Sequence, residues 1–195
     1  MHEENFSPEE SIRVIQSMID KTKEDFAENA FFYLLWGWLI FIASSVQYLL
    51  LVVFHSPYHY LVWHLMWVGT IISIVYGIKY RRRAAFKTYM SDAMRLFGIG
   101  TGISFTILSL IFVYKEAWSS AFPVYFVLYA FGAFVGGAIL RFRPLSWGAG
   151  VCWLIAIASA FVNYETQLLL MALAVLATYI VPGYLLRAKN KKQFA

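Results

Sequence analysis

FFYLLWGWLIFIASSVQYLLLVVF, residues 31–54, contains no acidic or basic side chain. An α-helix rises about 1.5 Å per residue and the hydrocarbon core of a bilayer is about 30 Å thick, so about 20 apolar residues span it. Lipid offers the backbone no hydrogen-bond partner, which leaves only a helix or a strand of a closed barrel as a spanning segment. Barrel strands are shorter and alternate in polarity. Residues 31–54 therefore predict a membrane-spanning helix.

The same apolar character recurs along the rest of the chain. Further runs of spanning length, most of them separated by short connections, occupy residues 60–78, 96–114, 121–140, 144–162 and 167–186. The whole chain is 61% hydrophobic and 14% charged, whereas soluble domains carry about 25% charged residues. We therefore predict an all-α fold, a polytopic membrane bundle of six transmembrane helices within residues 30–187.

Lysine and arginine mark one side of this bundle. If the N-terminus is cytoplasmic, all 16 basic residues except Lys115 fall in cytoplasmic segments. Cytoplasmic loops of membrane proteins carry an excess of Lys and Arg, so this orientation is strongly favoured. The sequence predicts a multi-pass protein of the cell inner membrane with both termini in the cytoplasm. The orientation also accounts for the net charge of +5 without a nucleic-acid partner.

The two terminal segments differ from the spans in composition. In residues 1–29, Ser7 begins a capping-box pattern that ends at Glu10, and the apolar residues after it recur at helical spacing. We predict a short amphipathic cytoplasmic helix there, in front of the transmembrane domain. Residues 188–195 are predicted to form a basic cytoplasmic tail.

A basic cluster follows the second predicted span. Its members are Arg81, Arg82, Arg83 and Lys87. The acidic N-terminal helix lies on the same predicted side, so docking of that helix, or its release to bind a cytoplasmic protein partner, is one interpretation. Anchoring to anionic membrane lipid, at about 1 kcal/mol per charge, is the other. The sequence leaves both open.

Three histidines cluster where the first two predicted spans meet the outer surface. They are His55, His59 and His64. Histidine titrates near neutral pH and is a common metal ligand, so a pH-sensing patch or an external divalent-metal site is one interpretation. Their spacing matches no recognised zinc pattern, and polar residues are ordinary at a headgroup interface. The interface interpretation is favoured, and no cofactor is expected.

Two pairs of glycines show GxxxG spacing. The pairs are Gly98 with Gly102, and Gly132 with Gly136. Small residues let the backbones of membrane helices approach closely. Internal packing of six helices is the favoured interpretation, and a homo-oligomer face is the alternative.

The predicted membrane interior carries no Asp, Glu, Lys or Arg. Ion-coupled transporters usually keep such a group in the membrane, and no catalytic motif is present, so neither a coupled transporter nor an enzyme is expected. We predict a non-enzymatic scaffold, sensor or regulator that acts through its cytoplasmic face. The alternative is an uncoupled channel or small-solute transporter, lined by Ser44, Ser45, Gln47, Thr101, Ser104 and Thr106.

Two segments carry a resemblance to known proteins. FYLLWGWLIFIA, residues 32–43, and YIVPGYLLR, residues 179–187, resemble segments of a family of small six-helix membrane proteins from Bacteroidota that has no assigned activity. The resemblance implies six spans and a bacterial inner membrane, and it transfers no functional residue. The glycine-and-aromatic helices are also similar to those of HdeD-like acid-resistance membrane proteins, a likeness that implies no function.

Overall fold

The computed structural model of the protein describes residues 29–83 and 89–194. Every regular element within these ranges is helical, which confirms the predicted all-α class. The α-helices are α1 (Asn29–Val53, ending in a π-helical turn), α2 (Leu65–Arg83), α3 (Tyr89–Lys115), α4 (Trp118–Ile139), α5 (Arg143–Ser159), α6 (Tyr164–Val175) and α7 (Val181–Phe194). The predicted N-terminal amphipathic helix and Lys87 lie outside the described residues.

Several of these helices can cross a bilayer. The segments that are long and apolar enough are Asn29–Val53, His59–Lys79, Asp92–Lys115, Trp118–Ile139 and Tyr164–Asn190. α5 has 17 residues and is shorter than the predicted span over 144–162. Its early end has a local cause, since Asn163 adopts an extended conformation and its side chain caps α6 by accepting from the Thr166 N–H. The chain must leave the α5 helix before that cap.

The last two helices form one continuous rod. A π-helical segment, Leu176–Ile180, joins α6 to α7 directly before Pro182. Proline has no N–H to donate to the carbonyl four residues earlier, and a wider turn accommodates that missing bond. The rod runs on to Phe194, so most of the predicted tail over 188–195 is helical.

Close helix contacts in the centre of the bundle depend on glycine. A side chain at Gly148 of α5 would place its Cβ 2.5 Å from the Ala177 carbonyl oxygen and 3.0 Å from the Thr178 Cα. At Gly137 of α4, a Cβ would lie 3.0 Å from the Leu145 Cβ. α5 is therefore held backbone to backbone between α4 and the rod, and fully buried side chains such as Phe126 and Met171 fill the space around it.

α2 and α3 lie at the edge of this bundle. Only 6% of each of their apolar segments is buried, against 50% for Tyr164–Asn190. α2 contacts α1 through stacked rings of Phe31 and Tyr76, with centroids 4.1 Å apart. α3 contacts α4 through Phe105 and Tyr129, with centroids 4.6 Å apart. Each edge helix is thus attached along one side and exposes the other.

Candidate functional site

A partly buried hydrogen-bond network lies where the α1–α2 connection meets the start of α6. Its centre is Gln47 of α1, whose exposed fraction is 0%. The Trp63 indole N–H donates to Gln47 Oε1 at 2.5 Å. Gln47 Nε2 lies 2.9 Å from the Tyr164 hydroxyl oxygen and 3.0 Å from His59 Nδ1. We call these four residues the Gln47 node, and the end of the bundle that holds them the node end.

Local structure explains why these four side chains meet. α1 ends in the π-helical turn Leu49–Val53, shortly after Gln47. The chain then reverses and enters a 3-10 helix, His59–His64, in which His59 and Trp63 both face α1. Tyr164 is the first residue of α6. The node therefore ties three separate parts of the chain together at one end of the bundle.

Trp63 fixes the orientation of the Gln47 amide. An indole N–H can only donate, so the Gln47 atom that it contacts is the amide oxygen. The Gln47 nitrogen then has two hydrogens, and it directs them to Tyr164 and His59. His59 Nδ1 must accept, which requires a neutral imidazole with its hydrogen on Nε2. Both hydrogens of the Gln47 amide and its oxygen then have partners.

Protonation of His59 is incompatible with this arrangement. A charged imidazole carries a hydrogen on both nitrogens, so Nδ1 and the Gln47 NH₂ would be two donors facing each other. The titratable groups around His59 are the Tyr60 ring, 5.9 Å away, and Tyr164 across the Gln47 amide. Within the described ranges, neither Glu116 nor Glu165 forms an ion pair with His59. The observed geometry of the network therefore suits a neutral imidazole at His59.

The other two histidines of the predicted patch have different environments. His55 is exposed and occupies a turn with a positive φ of 50°. His64 Nδ1 lies 3.0 Å from the Leu61 carbonyl oxygen, so it donates, and protonation leaves that bond intact. Among the described residues, no group of three His, Cys, Asp or Glu side chains is arranged to hold a metal ion. Of the three histidines, His59 is the one that contacts the Gln47 node.

A second buried amide, that of Gln167, lies next to the Gln47 node on α6. Gln167, one turn along α6 from Tyr164, has an exposed fraction of 3%. Its Nε2 donates to the Ser159 carbonyl at 3.0 Å, which holds the α5–α6 turn. Gln167 Oε1 is buried and has no hydrogen-bond partner in the part of the chain that the structure describes. Phe122 packs edge-on against Tyr164, with ring centroids 5.4 Å apart, and closes the apolar side of the node.

A groove lies between α1 and α7 at the opposite end of the bundle. Its volume is about 660 Å³. The Trp38 indole N–H donates to the Tyr184 hydroxyl oxygen across it at 3.3 Å. We call it the α1–α7 groove, and its lining residues are Ala30, Phe31, Leu34, Leu35, Trp38, Leu39, Ile42, Tyr184, Arg187 and Asn190.

The predicted packing glycines fall into two environments. A Cβ at Gly136 would collide with the Tyr33 hydroxyl oxygen, and one at Gly132 would lie 3.5 Å from the Tyr179 hydroxyl. A Cβ at Gly98 or Gly102 would meet nothing within 4 Å, because both face outward from α3. Of the basic cluster, Arg81, Arg82 and Arg83 are the last residues of α2.

The polar residues that would line a channel are divided between the core and the surface. Ser44 and Gln47 are fully buried in α1, and the Ser44 hydroxyl donates to the Phe41 carbonyl. On α3, Thr101, Ser104 and Thr106 each donate to the carbonyl four residues earlier, and Thr106 is exposed. The sequence suggests Gln47 only as a channel residue. A lone amide in an apolar run could instead have indicated a buried network.

No protein-family model, no curated protein and no solved structure matches this chain. Its function must therefore be argued from the Gln47 node and the surrounding geometry.

Proposed function

We propose that this chain is a non-enzymatic sensor of external pH, a six-span protein of the bacterial inner membrane with both termini in the cytoplasm. The observation that carries the proposal is the Gln47 node, in which the Gln47 amide directs one of its hydrogens at His59 Nδ1 and so suits a neutral imidazole. Histidine changes its charge between about pH 5 and pH 8, so a change of external pH within that range is the proposed stimulus. The node end faces outward in this orientation.

α5 is the sixth span in this proposal. Its 17 residues reach about 25 Å, close to the thickness of a hydrocarbon core. α5 lies against α4 and the α6–α7 rod, and both of these are long enough to cross. Arg143 begins it and Glu165 follows it, so the basic end meets the cytoplasmic surface. Single cysteines at Arg141 and Glu165, both exposed, should be labelled by an impermeant thiol reagent from opposite sides of the membrane.

The node is placed to pass a signal along two helices. It holds α1, through Gln47, to α6, through Tyr164. Further along, a Cβ at Gly37 of α1 would lie 2.8 Å from Ile180 of the rod, so the two helices stay in contact to mid-membrane. Both helices then border the α1–α7 groove at the other end. Loss of the His59 bond would remove one of the two hydrogen bonds between Gln47 and the α1–α2 connection, and the proposed readout is the spacing of the cytoplasmic helix ends.

In this proposal, the cytoplasmic face transmits the change in pH by binding a partner. α2 ends in Arg81, Arg82 and Arg83, and its Tyr76 ring stacks on Phe31 of α1. A movement of α2 would shift these charges relative to α7. A basic surface of this kind suits an acidic cytoplasmic protein partner or anionic membrane lipid. An uncoupled channel is less well supported, because its candidate lining residues are split between the core and the α3 surface.

The experiment is a distance measurement between cytoplasmic helix ends. Spin labels at Lys79 of α2 and Ala188 of α7, both exposed, are introduced into protein in lipid nanodiscs. Cys152 is fully buried and stays unlabelled. Double electron–electron resonance at about pH 8 and about pH 5.5 brackets histidine titration. We expect the distance to change by about 2 Å or more on acidification, the size of ordinary helix shifts.

Two histidine variants serve as matched controls. His59→Asn keeps an acceptor oxygen near the Nδ1 position but cannot titrate, so its distance should be independent of pH. His64→Asn changes a histidine of the same 3-10 helix whose bond survives protonation, so its response should match the wild type. A pH response that persists unchanged in His59→Asn would remove the basis of the proposal.

A further inference from the structure

The α1–α7 groove differs in kind from the exposed faces of α2 and α3. It has apolar walls on one side and polar groups at one end. Leu35, Leu39 and Ile42 form the apolar part on α1, while Arg187 and Asn190 lie near the C-terminal end of the rod. A surface that only meets acyl chains needs no polar end. The polar groups at one end of the groove therefore favour an occupant that has polar atoms as well as an apolar part.

Three polar groups in the groove have hydrogen-bonding capacity to spare. The Arg187 guanidinium forms no ion pair in the described part of the chain. Asn190 Oδ1 is buried and lacks a hydrogen-bond partner within the same ranges. The Tyr184 oxygen accepts from Trp38, which leaves its own O–H available to donate. The groove thus offers a cation, an acceptor and a hydroxyl donor.

We propose that the α1–α7 groove binds one phospholipid whose headgroup carries a hydrogen-bond donor besides its phosphate. The phosphate pairs with Arg187, because a guanidinium matches phosphate oxygens in charge and geometry. The ammonium of an ethanolamine headgroup or a hydroxyl of a glycerol headgroup donates to Asn190 Oδ1. One turn deeper, the Tyr184 hydroxyl donates to an ester carbonyl. This lipid site goes beyond the pH response at the node and does not depend on it.

The dimensions of the groove agree with one leaflet of a bilayer. Its lining on α1 runs from Ala30 to Ile42, which is about 18 Å along a helix axis. Half of a hydrocarbon core is about 15 Å, so the lining covers the hydrocarbon part of one leaflet and reaches about 3 Å into the interfacial region. Tyr184 lies about one turn from Arg187 on α7 and accepts from Trp38 across the groove. The groove can therefore hold a headgroup and the first part of an acyl chain.

Lys189 provides a cation on the same helix that does not line the groove. Its ammonium lies 5.6 Å from the centroid of the Phe142 ring, so it is directed toward α5 instead of the groove. Removal of this charge changes the net charge of α7 by the same amount as removal of Arg187. Lys189→Gln is thus a matched control for Arg187→Gln.

Native mass spectrometry of the full-length chain tests the site. The protein is released from micelles that contain phosphatidylethanolamine, phosphatidylglycerol or phosphatidylcholine, whose choline nitrogen carries no hydrogen. We expect the first two to be retained about tenfold more strongly than phosphatidylcholine. Arg187→Gln should weaken retention of all three about tenfold, and Lys189→Gln should leave it unchanged. Asn190→Leu should abolish only the preference over phosphatidylcholine.

Further arms exclude other occupants of the groove. Ile42→Trp leaves the polar end intact and blocks the apolar part, so it should reduce retention if an acyl chain lies there. Equal retention of all three lipids by the wild type, or equal effects of Arg187→Gln and Lys189→Gln, would overturn the proposal. Competition by inorganic phosphate without lipid retention would assign the site to a free anion instead. Retention that appears only after deletion of residues 1–28 would assign the groove to that segment.

Discussion

The centre and the edge of the bundle contain the same GxxxG spacing in opposite surroundings. Gly132 and Gly136 of α4 face the tyrosine rings of α1 and the rod, whereas Gly98 and Gly102 of α3 face outward. Half of the rod's apolar segment is buried, and almost none of α3 is. Hydropathy and glycine spacing are thus alike in the two regions. The difference teaches that helix position, more than motif, decides what a small residue does in this protein.

The largest effect is expected at the closest backbone contact in the centre. Gly148→Leu would force a side chain against the Ala177 carbonyl and the Thr178 Cα, neither of which can rotate away. We expect a loss of roughly 3 kcal/mol or more in the free energy of unfolding, or failure to fold. A Cβ at Gly150, on the same helix, would meet nothing within 4 Å, so Gly150→Leu is the control. Thermal unfolding in nanodiscs compares the two, and equal losses would contradict the packing of α5.

The two GxxxG motifs provide a matched pair with a smaller expected difference. Gly136→Leu must displace the buried Tyr33 ring, so we expect a loss of about 1–3 kcal/mol. Gly102→Leu has open space and should change stability by less than about 0.5 kcal/mol. Thermal unfolding with size-exclusion chromatography measures both. A change of oligomeric state in Gly102→Leu alone would identify the α3 face as a contact between copies of the chain.

Substitutions that remove a hydrogen-bonding group should also cost more stability in the centre of the bundle than at its edge. Trp63→Phe leaves Gln47 Oε1 buried without its donor, so we expect a loss of about 1–2 kcal/mol in unfolding free energy. Ser104→Ala removes a hydroxyl that donates only to its own helix, and should cost less than about 0.5 kcal/mol. Chemical unfolding at pH 8 distinguishes them. Equal effects would mean that the node contributes nothing to folding.

The smallest effect at neutral pH is expected for His59 itself. His59→Asn keeps an acceptor for the Gln47 amide, so its stability should stay within about 0.5 kcal/mol of the wild type. Chemical unfolding at about pH 8 compares the two proteins. A loss of more than about 1 kcal/mol in His59→Asn would mean that the Asn side chain does not replace the Nδ1 acceptor.

The sequence predicts where the long helices lie along the chain, but it does not predict their exact ends or which helices contact each other. Apolar runs such as residues 31–54 are sufficient to indicate long helices, because a membrane imposes length and composition. The end of α5 depends on the Asn163 cap, and the turn before Pro182 widens into a π segment, so both boundaries follow from local detail. Which glycine pair is covered depends on helix rotation, which periodicity does not reveal when all faces are apolar.

The candidate site is only partly accessible from the sequence. The sequence identifies His59 as one of three histidines near an interface, but what distinguishes it is the donor that faces it. That donor is Gln47, 12 residues earlier, and its orientation is set by Trp63. Tyr164 joins them from 117 residues away. No local pattern connects these residues, since their meeting depends on the 3-10 helix and on the position of α6.

The most direct test of the pH-sensing node is the NMR signal of the Trp63 indole N–H. Protein labelled with ¹⁵N-tryptophan in nanodiscs gives one indole resonance per tryptophan, and Trp63→Phe identifies the relevant one. We predict that this resonance shifts between about pH 8 and about pH 5.5 in the wild type, because protonation of His59 disrupts the Gln47 amide to which it donates. We predict no shift in His59→Asn. A resonance that stays in place in the wild type, or moves equally in His59→Asn, would contradict a role for His59 as the pH-sensitive group.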